Sequence, residues 1–234
     1  MGYLFTIDIK GMINVRYRSV FDIIGPVMIG PSSSHTAGAV RIGKLCRRLF
    51  GKKPDEVTLH FYESFAQTYR GHATDVAVIA GLLDLETDDE RIPNAFLLAQ
   101  EQNMRISIVP ETAPSQHPNT VMVDMVKGKD RMRVTGISVG GGMVRIVEVD
   151  GFHLRLTGEG PTLLVFNEDK PGAIANVTEV IAKAGINISH MEVSRRDKGR
   201  TALMRIETDQ AVDDSIVRFL EERNFVLRVA KVKL

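Results

Sequence analysis

The stretch Gly158-Glu159-Gly160-Pro161 limits the possible folds of this 234-residue chain more than any other. Two glycines and a proline within four positions suit the interior of neither a helix nor a strand. The apolar pattern also changes across it. Downstream, residues 162–166 read as a strand. Over 171–184, Ile174, Val177, Val180 and Ile181 recur at helical spacing, and Gly185 stands at the C′ position. Strands over 186–194 and 201–207 flank a turn at Asp197-Lys198-Gly199, and a helix over 213–223 and a strand over 226–232 complete the pattern.

The order is βαββαβ, the split unit of a ferredoxin-like domain. Upstream of the linker the pattern is different. From 35 to 49, Ala39, Ile42, Leu45, Cys46 and Leu49 fall on one helical face, and Gly51 supplies the stop. Val57-Thr58-Leu59-His60-Phe61 alternates as a half-buried strand does. Val76, Ile79, Ala80 and Leu83 mark a second helix, and Pro93 opens a third that reaches about residue 102. Strands over 106–109, 120–126, 132–139 and 143–149 follow, separated or ended by Lys127-Gly128-Lys129-Asp130, Gly140-Gly141-Gly142 and Asp150-Gly151. The expected fold class is α+β. Residues 1–15 form an extension, 16–157 a mixed domain ending in a meander, 158–161 a linker, and 162–234 the ferredoxin-like domain.

Composition matters at two points. A formal net charge of +1 gives no electrostatic reason to expect nucleic acid or an anionic membrane as partner. No apolar run approaches the roughly 20 residues of a membrane span, and the N-terminus does not read as a secretory signal, so the expected location is the cytoplasm. The second point is Cys46, the single cysteine. One thiol permits no internal disulfide and cannot supply a four-thiolate metal site. No metal ligand set is expected within this chain, and any such cluster belongs to another polypeptide.

Three segments hold candidate chemistry. Gly30-Pro31-Ser32-Ser33-Ser34-His35-Thr36 sits at the entrance of the first helix. Free backbone N–H groups and the positive end of the macrodipole favour an anion there, and the hydroxyls and His35 add donors and a titratable group. Read as local structure only, the same string is a serine N-cap. In Gly71-His72-Ala73-Thr74-Asp75, Gly71 permits a sharp turn and Thr74 or Asp75 can cap the next helix, so His72 projects between two elements. His117-Pro118-Asn119-Thr120 is a proline-restricted turn before a strand.

Taken together, Ser19 to Gly43 (with Ser19-Val20-Phe21-Asp22-Ile23-Ile24-Gly25-Pro26-Val27-Met28-Ile29 running into the serine cluster), Ser64 to Leu83 and His117 to Thr120 resemble the beta domain of iron–sulfur L-serine dehydratases. The resemblance implies elimination of water from L-serine without pyridoxal phosphate, giving pyruvate and ammonia. It also implies a [4Fe–4S] cluster held by cysteines of an alpha chain, which in some bacteria is a separate polypeptide. By the same resemblance His72 and His35 are catalytic, and Ser32, Ser33, Ser34 and Thr36 bind the substrate carboxylate. A similar domain is a non-catalytic accessory in some 3-phosphoglycerate dehydrogenases. The alternative is therefore a regulatory, amino-acid-binding subunit of a different enzyme.

In the second domain, Asn167-Glu168-Asp169-Lys170-Pro171-Gly172-Ala173-Ile174 is a strand-to-helix turn with Pro171 expected at the first helical position. With Asn187 after Gly185, this segment resembles ACT domains. That implies an amino-acid effector held by Asn167, Asp169, Pro171, Gly172, Ala173, Ile174 and Asn187, and self-association through paired ACT domains.

Overall fold

The computed structural model describes residues 27–234. The extension at 1–15, the string from Ser19 to Ile24 and the Gly25-Pro26 turn lie outside them. Helix α1 (Gly38–Phe50) grows out of a single π-helical turn, Ser33–Ala37. Its spaced apolar residues Ala39, Ile42, Leu45, Cys46 and Leu49 are all buried. Gly51, at φ 75°, closes the helix by donating its N–H to the carbonyls of Arg47 and Arg48.

Strand β1 (Glu56–Phe61), short helix α2 (Glu63–Thr68) and helix α3 (Thr74–Leu82) come next. A 3₁₀ turn, Ile92–Asn94, runs into α4 (Ala95–Glu101). Strands β2 (Arg105–Pro110), β3 (Thr120–Lys127), β4 (Asp130–Gly140), β5 (Met143–Val149) and β6 (Phe152–Leu156) complete a six-stranded sheet, order β2-β1-β3-β4-β5-β6. Only the β1–β2 pair is parallel. Helix α1 packs against α3 through paired glycines. A Cβ on Gly43 would run into the Val78 carbonyl oxygen, and one on Gly81 into that of Val40. Two helix backbones in van der Waals contact leave room for no other residue at either position.

Strand β7 (Thr162–Glu168), α5 (Ala173–Lys183), β8 (Ile188–Asp197), β9 (Thr201–Thr208), α6 (Asp214–Glu221) and β10 (Val226–Val232) form the second sheet, order β10-β7-β9-β8, all antiparallel. Leu163, Val165, Met204 and Ile206 pack in one core with Val177 and Ile181 of α5 and Leu220 of α6. Leu164, Phe166, Leu203, Ala230 and Val232 instead join the core of the six-stranded sheet. A strand buried on both faces reads as a continuous apolar run, which explains Leu163-Leu164-Val165-Phe166. The Asp150 carboxylate ties the two sheets at their border, accepting from the Arg133 N–H (2.7 Å) and from Arg228 Nη2 (3.1 Å).

Three details differ from the sequence expectations. The helix expected from Pro171 begins at Ala173, because Gly172 at φ 88° occupies the cap in a left-handed conformation and leaves Pro171 in the preceding loop. Strand β6 follows Asp150-Gly151, which is a hairpin turn and not an end. The six-residue helix α2 was not anticipated; it is shorter than two helical turns and shows no periodicity. Among the described residues no helix is long and apolar enough to cross a membrane.

Candidate active site

The π-helical turn gathers the serine cluster around one imidazole. Ser32 caps it, its Oγ accepting the His35 N–H at 3.2 Å. The same hydroxyl lies 3.4 Å from His35 Nδ1, and Ser34 Oγ lies 3.1 Å from it. The N-cap read from the sequence is in place, and the same string brings the Ser32 and Ser34 hydroxyls to the His35 ring. On the far side of the ring, Ser64 Oγ of α2 stands 3.4 Å from Nε2. His35 is thus approached by hydroxyls at both nitrogens.

His72 arrives from the turn between α2 and α3, where its N–H donates to the Thr68 carbonyl at 3.0 Å. Its ring meets His35 edge to face at 4.7 Å between centroids, and Phe65 packs on His35 at 5.1 Å. Burial, and next the neighbouring His72, hold the His35 imidazole below the ordinary histidine value. His72 Nδ1 is buried without a hydrogen-bond partner, as are the Oγ1 atoms of Thr36 and Thr74 and Ser138 Oγ. Buried polar atoms are rarely left unpaired, and these four lie on the segments around the two histidines and the start of α1.

The backbone around this cluster is strained. Glu63 (φ 44°) and Ala73 (φ 53°) take left-handed conformations without being glycine, and they bracket the segment that carries Ser64 and His72. The Glu63 carboxylate fastens the neighbouring loop, accepting from the Ser115 N–H at 2.8 Å. That loop delivers His117, whose Nδ1 accepts the Asn119 N–H at 3.1 Å, leaving Nε2 as the nitrogen that carries the proton. Burial, and after it Arg145, hold His117 below its ordinary value.

Ser32, Ser34, His35 and His72 stand together. Ser33 contributes its carbonyl to the Gly38 N–H, and Thr36 is buried against Gly30. Ser64 falls within a segment that carries the resemblance but has no role assigned from the sequence, and Ser138 falls in none of these segments. Ser138 comes from β4, more than a hundred residues downstream of the cluster, and approaches the start of α1 at Gly38, where a Cβ would strike its hydroxyl. No linear motif announces such a contact.

The second candidate site is a cleft of about 380 Å³ at the start of α5. Asn167, Asp169, Pro171, Gly172, Ala173 and Ile174 line it, with Arg195 and Lys198 opposite. Asn167 is buried; its Nδ2 donates to the Glu168 carbonyl at 2.7 Å, and its Oδ1 has no partner. Asp169 pairs with Arg195 Nε at 3.1 Å and accepts the Gly199 N–H at 2.8 Å. Asn187 lies elsewhere, bonded to Asp209 (2.7 Å) and Gln210 (2.9 Å).

The donor set of this chain does not fit an iron–sulfur cluster. Cys46 is buried in α1, and burial pushes its thiol well above the ordinary value, away from the thiolate that a metal requires. Among the described residues no three His, Cys, Asp or Glu side chains are placed to hold a metal ion.

Against known proteins, residues 19–106 match the family model of the serine dehydratase beta chain, and residues 161–223 that of the ACT domain. The chain is 52% identical to "Probable L-serine dehydratase, beta chain" of Bacillus subtilis (strain 168), over 93% of this chain and 99% of that one. It is 32% identical to "L-serine dehydratase, beta chain" of Peptoniphilus asaccharolyticus, over 85% and 90%. It is also 25% identical to D-3-phosphoglycerate dehydrogenase of Bacillus subtilis (strain 168), over 84% of this chain but 37% of that enzyme.

Proposed function

The chain belongs to the serine dehydratase beta chain family, and on that premise we propose that it is the beta subunit of an L-serine dehydratase, a lyase that works without pyridoxal phosphate. Its partner is an alpha chain whose cysteines hold a [4Fe–4S] cluster. The near-full-length identity to two beta chains supports the subunit role over the alternative of a regulator for another enzyme; the phosphoglycerate dehydrogenase match spans about a third of that protein. The division of labour we infer places serine binding and proton transfer within 16–157 and effector binding within 162–234.

Dehydration of serine removes the α-proton and the β-hydroxyl as water. The resulting aminoacrylate tautomerises to an imine, which hydrolyses to pyruvate and ammonium. The residues of this chain account for the proton and the carboxylate. The Ser32, Ser33, Ser34 and Thr36 hydroxyls at the head of α1 receive the substrate carboxylate. The observation that carries the catalytic reading is the buried, unpartnered Nδ1 of His72 beside that cluster. A ring nitrogen without a protein partner is free to take a substrate proton, whereas His35 is hydrogen-bonded at both nitrogens and serves to orient the site. Loss of one positioned proton-transfer group costs about 10²–10⁴ in rate. His72→Ala is expected to cut the turnover of the assembled enzyme at least about a hundredfold, with partner binding and melting temperature unchanged. Turnover near wild type would move the base assignment to His35.

A further inference from the structure

A cleft of about 1300 Å³ opens at the opposite end of α1 from the serine–histidine cluster. Thirteen helical residues separate the two by about 20 Å. Its walls are the C-terminal end of α1, the β3–β4 turn, α6 and the outer edge strand β10. Three of its carboxylates are already neutralised: Asp84 by Arg48, Asp130 by Lys52 and Asp214 by Lys231. A fourth, Glu221, accepts from the Val229 N–H. Arg47, Lys129, Arg131 and Lys233 also line the cleft, and none makes a salt bridge among the described residues, although Asp84, already paired with Arg48, attracts Arg47 from nearby.

Arg47 is the telling member. Its Nη1 is buried with no hydrogen-bond partner, and burial draws the guanidinium below its ordinary value. The nearby helix-end carbonyls, its own and that of Arg48, are taken by the Gly51 N–H, at 3.0 and 3.2 Å. A buried guanidinium donor left unmade is costly, so the arrangement calls for an acceptor from outside the chain. Four cations without a salt bridge, against the one unpaired carboxylate of Glu221, leave a positive excess beyond what a zwitterionic amino acid could use. Two of them are guanidiniums, whose planar forks match the oxygens of a phosphate. Phe50 and the exposed Leu227 add an apolar surface beside them.

We propose that this interdomain cleft binds a phosphate-bearing small molecule, its phosphate held by Arg47 and Arg131 and its apolar part against Phe50 and Leu227. The site is separate from both clusters described above and does not rest on the dehydratase reading. The test uses the full chain and inorganic pyrophosphate as probe, titrated calorimetrically at constant ionic strength against chloride. Saturable one-to-one binding is expected. Arg47→Gln and Arg131→Gln should each weaken it by about tenfold or more, the loss expected for a hydrogen bond to a charged group. Arg195→Gln, in the smaller cleft, should leave it unchanged. Arg131 is exposed at the start of β4, so its variant reports on binding even if Arg47→Gln folds poorly. Heats that do not saturate, affinity unmoved by Arg131→Gln, or binding abolished by Arg195→Gln would each overturn the proposal.

Discussion

At the scale of residues, the active-site reading rests on two imidazoles in unequal settings. His35 is surrounded by hydroxyls and held below its ordinary value by burial and by His72. The sign follows from linkage. As pH falls toward and below about 6.5, the unfolded chain takes up a proton that the folded chain resists, so folded stability falls with acidification. The His35 ring, followed by NMR in the full chain, should therefore titrate with a midpoint below 6.5. A midpoint at or above 6.5 would contradict the burial account. The sequence made the serine string and both histidines legible because each stands at a helix entrance or beside a glycine turn, where local chemistry is readable. The contacts of Ser64 and Ser138 were not legible. Ser64 reaches His35 only through the strained conformation of Glu63, and Ser138 only through the fold of the six-stranded sheet.

At the scale of elements, α1 and α3 position the chemistry. His35 stands just ahead of α1 and His72 just ahead of α3, so the crossing of these helices sets the distance between the two rings. That crossing depends on Gly43 and Gly81, whose missing side chains let the backbones meet. Gly81→Ala forces the helices apart and is expected to cost about 1–3 kcal/mol, the usual range for overpacking a close-packed core. Urea denaturation of the purified chain measures it; an unchanged midpoint would mean that the contact is not tight. Most elements follow from periodicity and from glycine or proline stops. The π-helical turn does not, since nothing in Ser33–Ala37 distinguishes it from an α-helical start. In β6, Phe152 and Leu154 alternate with exposed His153 and Arg155 as a strand should, but only five residues long and next to the linker the pattern is easily passed over.

At the scale of the whole molecule, the second sheet is not a detachable module. Leu164, Phe166, Leu203, Ala230 and Val232 complete the core of the first, so the chain is best tested entire. If the cleft at Asn167 and Gly172 holds an amino-acid effector, millimolar L-serine should raise the melting temperature of the full chain by mass action. Asn167→Ala should remove most of that rise; a rise unaffected by this change would place the effector elsewhere. The central claim concerns division of labour between two chains, and anaerobic complementation tests it most directly. Purified alone, this chain is expected to bind no stoichiometric iron and to release no pyruvate from L-serine, because its one thiol is buried in α1. Mixed with its cysteine-bearing alpha chain, it should give an activity that neither chain has alone. Sustained pyruvate release by this chain without a partner, or a mixture no more active than the alpha chain by itself, would contradict the account.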